Sequence, residues 1–198
     1  MTVLATVGAL AALGFLAVFT LDGWTRPGFV VGRHPVSALA LGPRGWVQTA
    51  NFWQCGIGMV VGAAGLAAQH HWLASMVGVV GLALVASGIW RMDPMRGYPP
   101  GTPDTTPEGF SRRHQWHDRA GAVVFAGVPG AALVAALGDL ESWLRWYSAA
   151  TAVGTAVLVW VFAAAWERDA PGAGLWQRLA LLAGWIWLAV LFVSVPGA

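Results

Sequence analysis

The sequence predicts an all-α fold, a single domain over residues 1–198 built as a bundle of six transmembrane helices. Three observations carry that prediction. The chain is 57% hydrophobic and only 10% charged, whereas soluble domains carry roughly 25% charged residues. Its apolar residues gather in six windows, at about 3–21, 47–68, 72–90, 120–137, 146–166 and 179–195, each near the ~20 residues that a spanning helix needs. No window contains Asp, Glu, Lys or Arg, so every formal charge lies between them. An ionised side chain at mid-bilayer costs at least ~2.5–3.5 kcal/mol, which makes so clean a partition informative.

The first window has no basic region before it, and Leu16-Ala17-Val18-Phe19 leads to no small-x-small cleavage site. It is expected to stay as a helix rather than leave as a signal peptide. The second window carries Gln48 and Asn51 one helical turn apart, on a common face. Amides so placed in lipid-embedded helices hydrogen-bond to neighbouring helices, and Gly58-x-x-x-Gly62 permits close helix approach. The third window follows the tight connection Gln69-His70-His71 and runs to Asp93-Pro94, where the proline stops the helix and leaves the carboxylate at the membrane surface. The fourth contains Pro129, which should kink it; the fifth and sixth follow short connections. Of the 13 tryptophans, Trp24, Trp46, Trp72, Trp90, Trp116, Trp143, Trp146, Trp166 and Trp176 sit near window ends, as an interfacial aromatic belt would. Trp53, Trp160, Trp185 and Trp187 lie deeper, as packing residues or as an aromatic cage.

Two connections, 22–46 and 91–119, are long and rich in Gly, Pro, Arg and His, and two helices separate them, so both leave from one side. All eleven basic residues are arginine, and Arg145 alone falls on the opposite side. The positive-inside rule then places the long loops in the cytoplasm. Candidate substrate contacts on this side are His34, Ser37, Arg44, Trp46, Gln48, Asn51, Trp53, Trp90, Arg91 and Tyr98. Guanidinium groups clamp phosphate or carboxylate headgroups, and Ser37 is placed to cap a short helix. Asp93, His117 and Asp118 are the acid–base candidates, since a carboxyl at a desolvated mouth has a tunable proton affinity.

Other chemistries find less support. One cysteine, Cys55, excludes an internal disulfide and a thiolate zinc site. His114 and His117 at i, i+3 with Asp118, joined by His34 or Asp93, form the only His/carboxylate set worth naming; it lacks an HExxH signature, and no metal and no cofactor are assigned. Nothing like Gly-x-Ser-x-Gly surrounds Ser37. A net charge of +2 gives a nucleic-acid partner no support.

The run His34-Pro35-Val36-Ser37-x-Leu39, then Gly45-Trp46-Val47-Gln48-x-x-Asn51-Phe52, resembles the start of the bacterial domain of unknown function 998 family. Gly88-x-x-x-x-Asp93-Pro94, Gly97-Tyr98-Pro99-Pro100-Gly101-Thr102-Pro103 and His117 before Ala120-Gly121 fit the same pattern. The resemblance implies a six-helix membrane protein, without an assigned activity, whose termini are cytoplasmic and whose long loops face outward. The arginine distribution argues for the opposite orientation. Trp53-Gln54, Trp90-Arg91 and Arg112-Arg113-His114 are more polar or aromatic than that pattern leads one to expect.

Three functions fit these features. A multi-pass protein of the plasma membrane would bind a lipid-like or amphiphilic molecule, with membrane lipids as its surroundings. Alternatively it is a membrane-embedded enzyme on a lipophilic substrate such as an isoprenoid, with Trp53, Trp90, Trp185 and Trp187 stabilising a cation. The third is a structural or partner-binding subunit, which would depend on helix faces such as Gly58 and Gly62.

Overall fold

A computed structural model describes residues 3–195. They form helices α1 (Val3–Thr25), α2 (Gly45–Leu66), α3 (His71–Ile89), α4 (Arg112–Leu137), α5 (Ser142–Glu167) and α6 (Ala173–Ser194), with a short 3₁₀ turn at Val36–Ala40. Each helix packs on the next, and α6 packs back on α1, so the six form a closed ring. The 3₁₀ turn lies against α1, α2 and α6. All of these helices except α2 are long and apolar enough to cross a membrane, the mark of a multi-pass membrane protein.

The exception has a physical reason. Gln48, Asn51 and Gln54 lower the hydropathy of α2, yet Gln48 and Asn51 are buried inside the ring and the exposed Gln54 is turned onto α1. Asn51 Nδ2 donates to Phe15 O at 3.1 Å and to Gln48 Oε1 at 3.3 Å; Gln54 Nε2 donates to Ala11 O at 3.3 Å and to Asn51 Oδ1 at 3.2 Å. Asn51 therefore makes the expected interhelical bond and Gln54 adds a second, both to carbonyls of α1, whereas Gln48 bonds only to Asn51 of its own helix and its buried Nε2 has no partner among the described residues. Close approach makes the bonds to α1 possible. A Cβ on Gly58 would collide with Ala11 Cβ, and one on Gly62 would come within 2.6 Å of the Phe192 ring.

The helices overrun the apolar windows at several ends. α1 continues to Thr25 and takes in Asp22, and α4 begins at Arg112 rather than near residue 120. Ser111 caps α4, its hydroxyl accepting from His114 N at 3.1 Å, so the helix starts above the apolar stretch. Asp93-Pro94 does not end α3; the helix stops at Ile89, and Trp90 is already extended at φ −103°, ψ 117°. Ser37 lies inside the 3₁₀ turn and does not cap it; Pro35 holds the N-cap position without a side-chain bond.

The ring's core is aromatic. Trp185 stacks on Phe15 at 5.2 Å and donates Nε1–H to Cys55 Sγ at 3.2 Å, while Trp187 donates to Ser148 Oγ at 2.9 Å. Both indoles are fully buried, whereas Trp53 and Trp160 face outward. Burial is uneven around the ring. The apolar window of α6 is 61% buried, but those of α4 and α5 are only 28% buried. The wall made by α4 and α5 is thin, and the principal cavity lies there.

Candidate functional site

A cavity of about 590 Å³ lies between α4 and α5. His114, His117, Asp118, Gly121 and Phe125 of α4 face Val159, Phe162, Trp166 and Glu167 of α5 across it, and Pro35, Ser37, Met92 and Gln177 line its end. A smaller pocket shares Ser37, His117, Gly121, Phe125 and Gln177 and continues to Phe15, Phe52, Ser87 and Leu181 inside the ring. The shared residues join the two spaces. Polar groups gather where α4 and α6 begin and α5 ends, on the side of the long loops; further along α4 and α5 the lining is apolar.

The polar end is built from few groups. His117 Nδ1 lies 2.8 Å from Trp90 O; a carbonyl only accepts, so Nδ1 carries the hydrogen and Nε2 holds the lone pair of the neutral ring. Trp90 offers this carbonyl because α3 has just ended. Gln177 Oε1 accepts from Val36 N at 2.6 Å. The Gln177 amide nitrogen, with two N–H donors, has no hydrogen-bond partner among the described residues. The Ser37 hydroxyl donates to Met92 Sδ at 3.4 Å, a weak acceptor. His114 is committed at both nitrogens: Nδ1 accepts from Asp93 N at 2.8 Å and Nε2 meets Asp118 Oδ2 at 3.1 Å. Phe110 stacks on its ring at 4.3 Å. Asp118 and Glu167 are the formally charged residues of the lining, and no arginine reaches it.

Asp93 is held away from this cavity. Its carboxylate accepts from Ser111 N at 2.7 Å and Ser111 Oγ at 2.6 Å. Burial alone would push the carboxyl up, but the two Ser111 bonds and nearby His114 outweigh it and hold Asp93 below its ordinary value. The residue ties the loop after α3 to the cap of α4.

The other polar residues of the two loops form an interlocked shell. His34 Nδ1 accepts from Val30 N at 2.9 Å, so its Nε2–H donates to Arg96 O at 3.1 Å. The ring packs on Phe29 and Tyr98, and burial lowers its proton affinity below the usual histidine value. Arg33 pairs with Asp104 at 2.7 Å and with Asp169 at 3.1 Å. Arg96 lies 3.8 Å over the Trp166 ring and donates to Trp166 O at 2.7 Å. Buried Asp22 pairs with Arg26 and, at 2.5 Å, with Arg44. Arg178 Nη1 donates to Val31 O at 2.7 Å and His34 O at 2.9 Å.

A separate groove of about 550 Å³ opens on the outer side of α2 and α3. It is lined by Thr49, Trp53, Gly88, Ile89, Trp90, Arg91 and Arg113.

The sequence candidates therefore divide among five places. Ser37, His117 and Asp118 line the main cavity. Trp53, Trp90 and Arg91 line the outer groove. His34, Arg44, Asp93 and Tyr98 brace the loops, and Gln48 and Asn51 bond within the ring. Trp46 is 67% exposed at the start of α2 and belongs to the aromatic belt. The four tryptophans considered as a cation cage do not share one cavity. Sequence reasoning missed Gln177, Gly121, Phe125, Phe162 and Glu167. Gln177 had a readable signal, a neutral amide beside Arg178 in the first turns of a helix that is apolar beyond them; the others look like any helix residue until their neighbours are known. Among the described residues no group of three or more His, Cys, Asp or Glu is placed to hold a metal ion.

A family model described as "Protein of unknown function (DUF998)" matches residues 9–194. No curated protein and no solved structure matches the chain.

Proposed function

The chain belongs to the family of proteins of unknown function DUF998, and from that premise we propose that it crosses a cell membrane six times and binds a lipid-like amphiphile between α4 and α5. α2 supplies the sixth crossing: its 22 residues suffice in length, Gln48 and Asn51 are buried, and Asn51 and Gln54 each donate to a carbonyl of α1. The observation that carries the binding reading is the cavity itself, polar at one end, apolar along its length and walled by the two least buried helices. An acyl or isoprenoid chain would lie along Phe125, Val159 and Phe162. Its head would meet Ser37, His117 and the free amide of Gln177.

The charges favour a particular head. Asp118 and Glu167 stand at the cavity and no arginine does, so an alcohol, amide or amine suits it better than a phosphate. Gly121 offers a direct test, because a Cβ there meets nothing within 4 Å. Gly121→Leu should fold normally while filling the cavity. Binding of dodecylamine, dodecanol and dodecyl phosphate to the purified protein would be compared by native mass spectrometry. The expected result is a preference for the amine and alcohol, lowered at least about tenfold by Gly121→Leu, a change of ~1.4 kcal/mol. Dodecyl phosphate binding as well as the amine, or unchanged binding in Gly121→Leu, would sink the proposal.

A further inference from the structure

We propose that the outer groove between Trp53, Trp90, Arg91 and Arg113 is a second, separate site that holds the phosphodiester of an anionic membrane lipid. Two observations carry it. Of the other eight arginines near the long loops, five are spent on a partner: Arg26 and Arg44 on Asp22, Arg33 on Asp104 and Asp169, Arg96 on Asp169 and Trp166, and Arg178 on backbone carbonyls. Arg91 and Arg113 share the groove wall and make no ion pair and no side-chain hydrogen bond among the described residues. They arrive from the loop after α3 and from the first turn of α4, and two guanidinium groups converging on one cleft without a carboxylate fit a phosphate.

The second observation is the setting. The groove lies on the outside of the ring at the helix ends, where Trp90 stacks on Trp116 at 5.5 Å and Arg119 lies 4.6 Å over the Trp116 ring. Indoles of this kind settle at the headgroup level of a bilayer. Trp53, 43% exposed, and Ile89, 56% exposed, continue from the groove along outer helix faces. A lipid whose phosphate sits between the arginines would lay its chains on these faces. A free phosphate ion would use the arginines but gain nothing from the tryptophans. This site differs from the cavity in charge and in place, so the two proposals stand or fall separately.

The test uses the full chain in nanodiscs of phosphatidylcholine with or without phosphatidylglycerol. Lipid retained through detergent extraction is counted by native mass spectrometry. Wild type should keep phosphatidylglycerol in preference to phosphatidylcholine. Arg91→Gln with Arg113→Gln should lower that retention about a hundredfold, roughly tenfold for each charge-assisted hydrogen-bonding partner of the phosphate that is lost. Arg112→Gln with Arg168→Gln removes the same charge outside the groove and should leave retention unchanged. Equal loss in both double variants would reduce the effect to general surface attraction and overturn the site. So would unchanged retention in Arg91→Gln/Arg113→Gln. Inorganic phosphate added in pure phosphatidylcholine nanodiscs separates the sources: if it raises the thermal midpoint of wild type as much as phosphatidylglycerol does, the groove takes the free ion and the lipid assignment falls.

Discussion

His34 was expected to touch a substrate, and its environment gives it another task. Both ring nitrogens are used, one accepting from Val30 N and one donating to Arg96 O. This pattern requires the neutral ring. Burial, then the positive charges of Arg33 and Arg178, lower its proton affinity, opposed by the carbonyl of Arg96 and by Asp104. The sign follows. Its folded-state pKa lies below the ordinary 6.5, so the unfolded chain takes up the proton first as pH falls. The stability His34 contributes is complete above 6.5 and is lost progressively as pH falls toward the folded value. Asp93 and Asp104 are both held below their ordinary 3.8, so they weaken the loops only in stronger acid. Protection factors of the loop amides around Val30, which remove the intrinsic pH dependence of exchange, should therefore fall between neutral pH and pH 5 in wild type. In His34→Asn the added pH dependence should vanish, with exchange faster throughout. A wild-type loop insensitive over that range would contradict this account. The general lesson at this scale is that residue type showed where polar chemistry collects but not which groups remain free. His34, Arg44 and Asp93 are spent on the scaffold, and Gln177 keeps a donor pair.

The helices were largely legible, because lipid punishes charge and so writes each span as a charge-free window. Five spans follow from hydropathy alone. Their ends were not legible, since a helix leaving the bilayer is governed by capping rather than hydropathy, as Ser111 and the charged first turns of α4 show. α2 reads as the weakest span because of Gln48, Asn51 and Gln54; Asn51 and Gln54 have partners on α1 that the sequence does not name. The small residues of α2 are what bring those partners within reach. Gly58→Ala should force α1 and α2 apart, since its Cβ would strike the Cβ of Ala11 on the facing helix. The cost expected is about 1–3 kcal/mol, or several degrees in thermal midpoint at ~2–4 °C per kcal/mol. Gly154→Ala on α5, where nothing lies within 4 Å, should be neutral or raise stability by about 0.5–1 kcal/mol through helix propensity. Thermal denaturation in detergent distinguishes the two, and equal midpoints would refute the packing argument.

For the whole molecule, six crossings require Pro43 and Glu108 on one side of the membrane and Gln69 on the other. All three are exposed, and the native Cys55 is buried against Trp185. Single cysteines at 43, 69 and 108 should thus be labelled without background by a membrane-impermeant maleimide. Pro43→Cys and Glu108→Cys should react from the same side and Gln69→Cys from the other; labelling of all three from one side would remove α2 and α3 as crossings. The main cavity was the least legible feature. It belongs to five separate stretches of chain, and only the closing of the ring brings Ser37, Met92, His117, Trp166 and Gln177 together. That closure also sets an order in time. Val36 N waits for Gln177, and the carbonyls of Val31 and His34 wait for Arg178, partners 141 to 147 residues further along the chain. At a synthesis rate of about 5–20 residues per second, the first loop stands unfinished for roughly 7 to 30 seconds after it is made. During that interval its backbone groups depend on water or a chaperone, and a ribosome stalled before α6 would leave a protein with most of its helices made and the polar end of its cavity unformed.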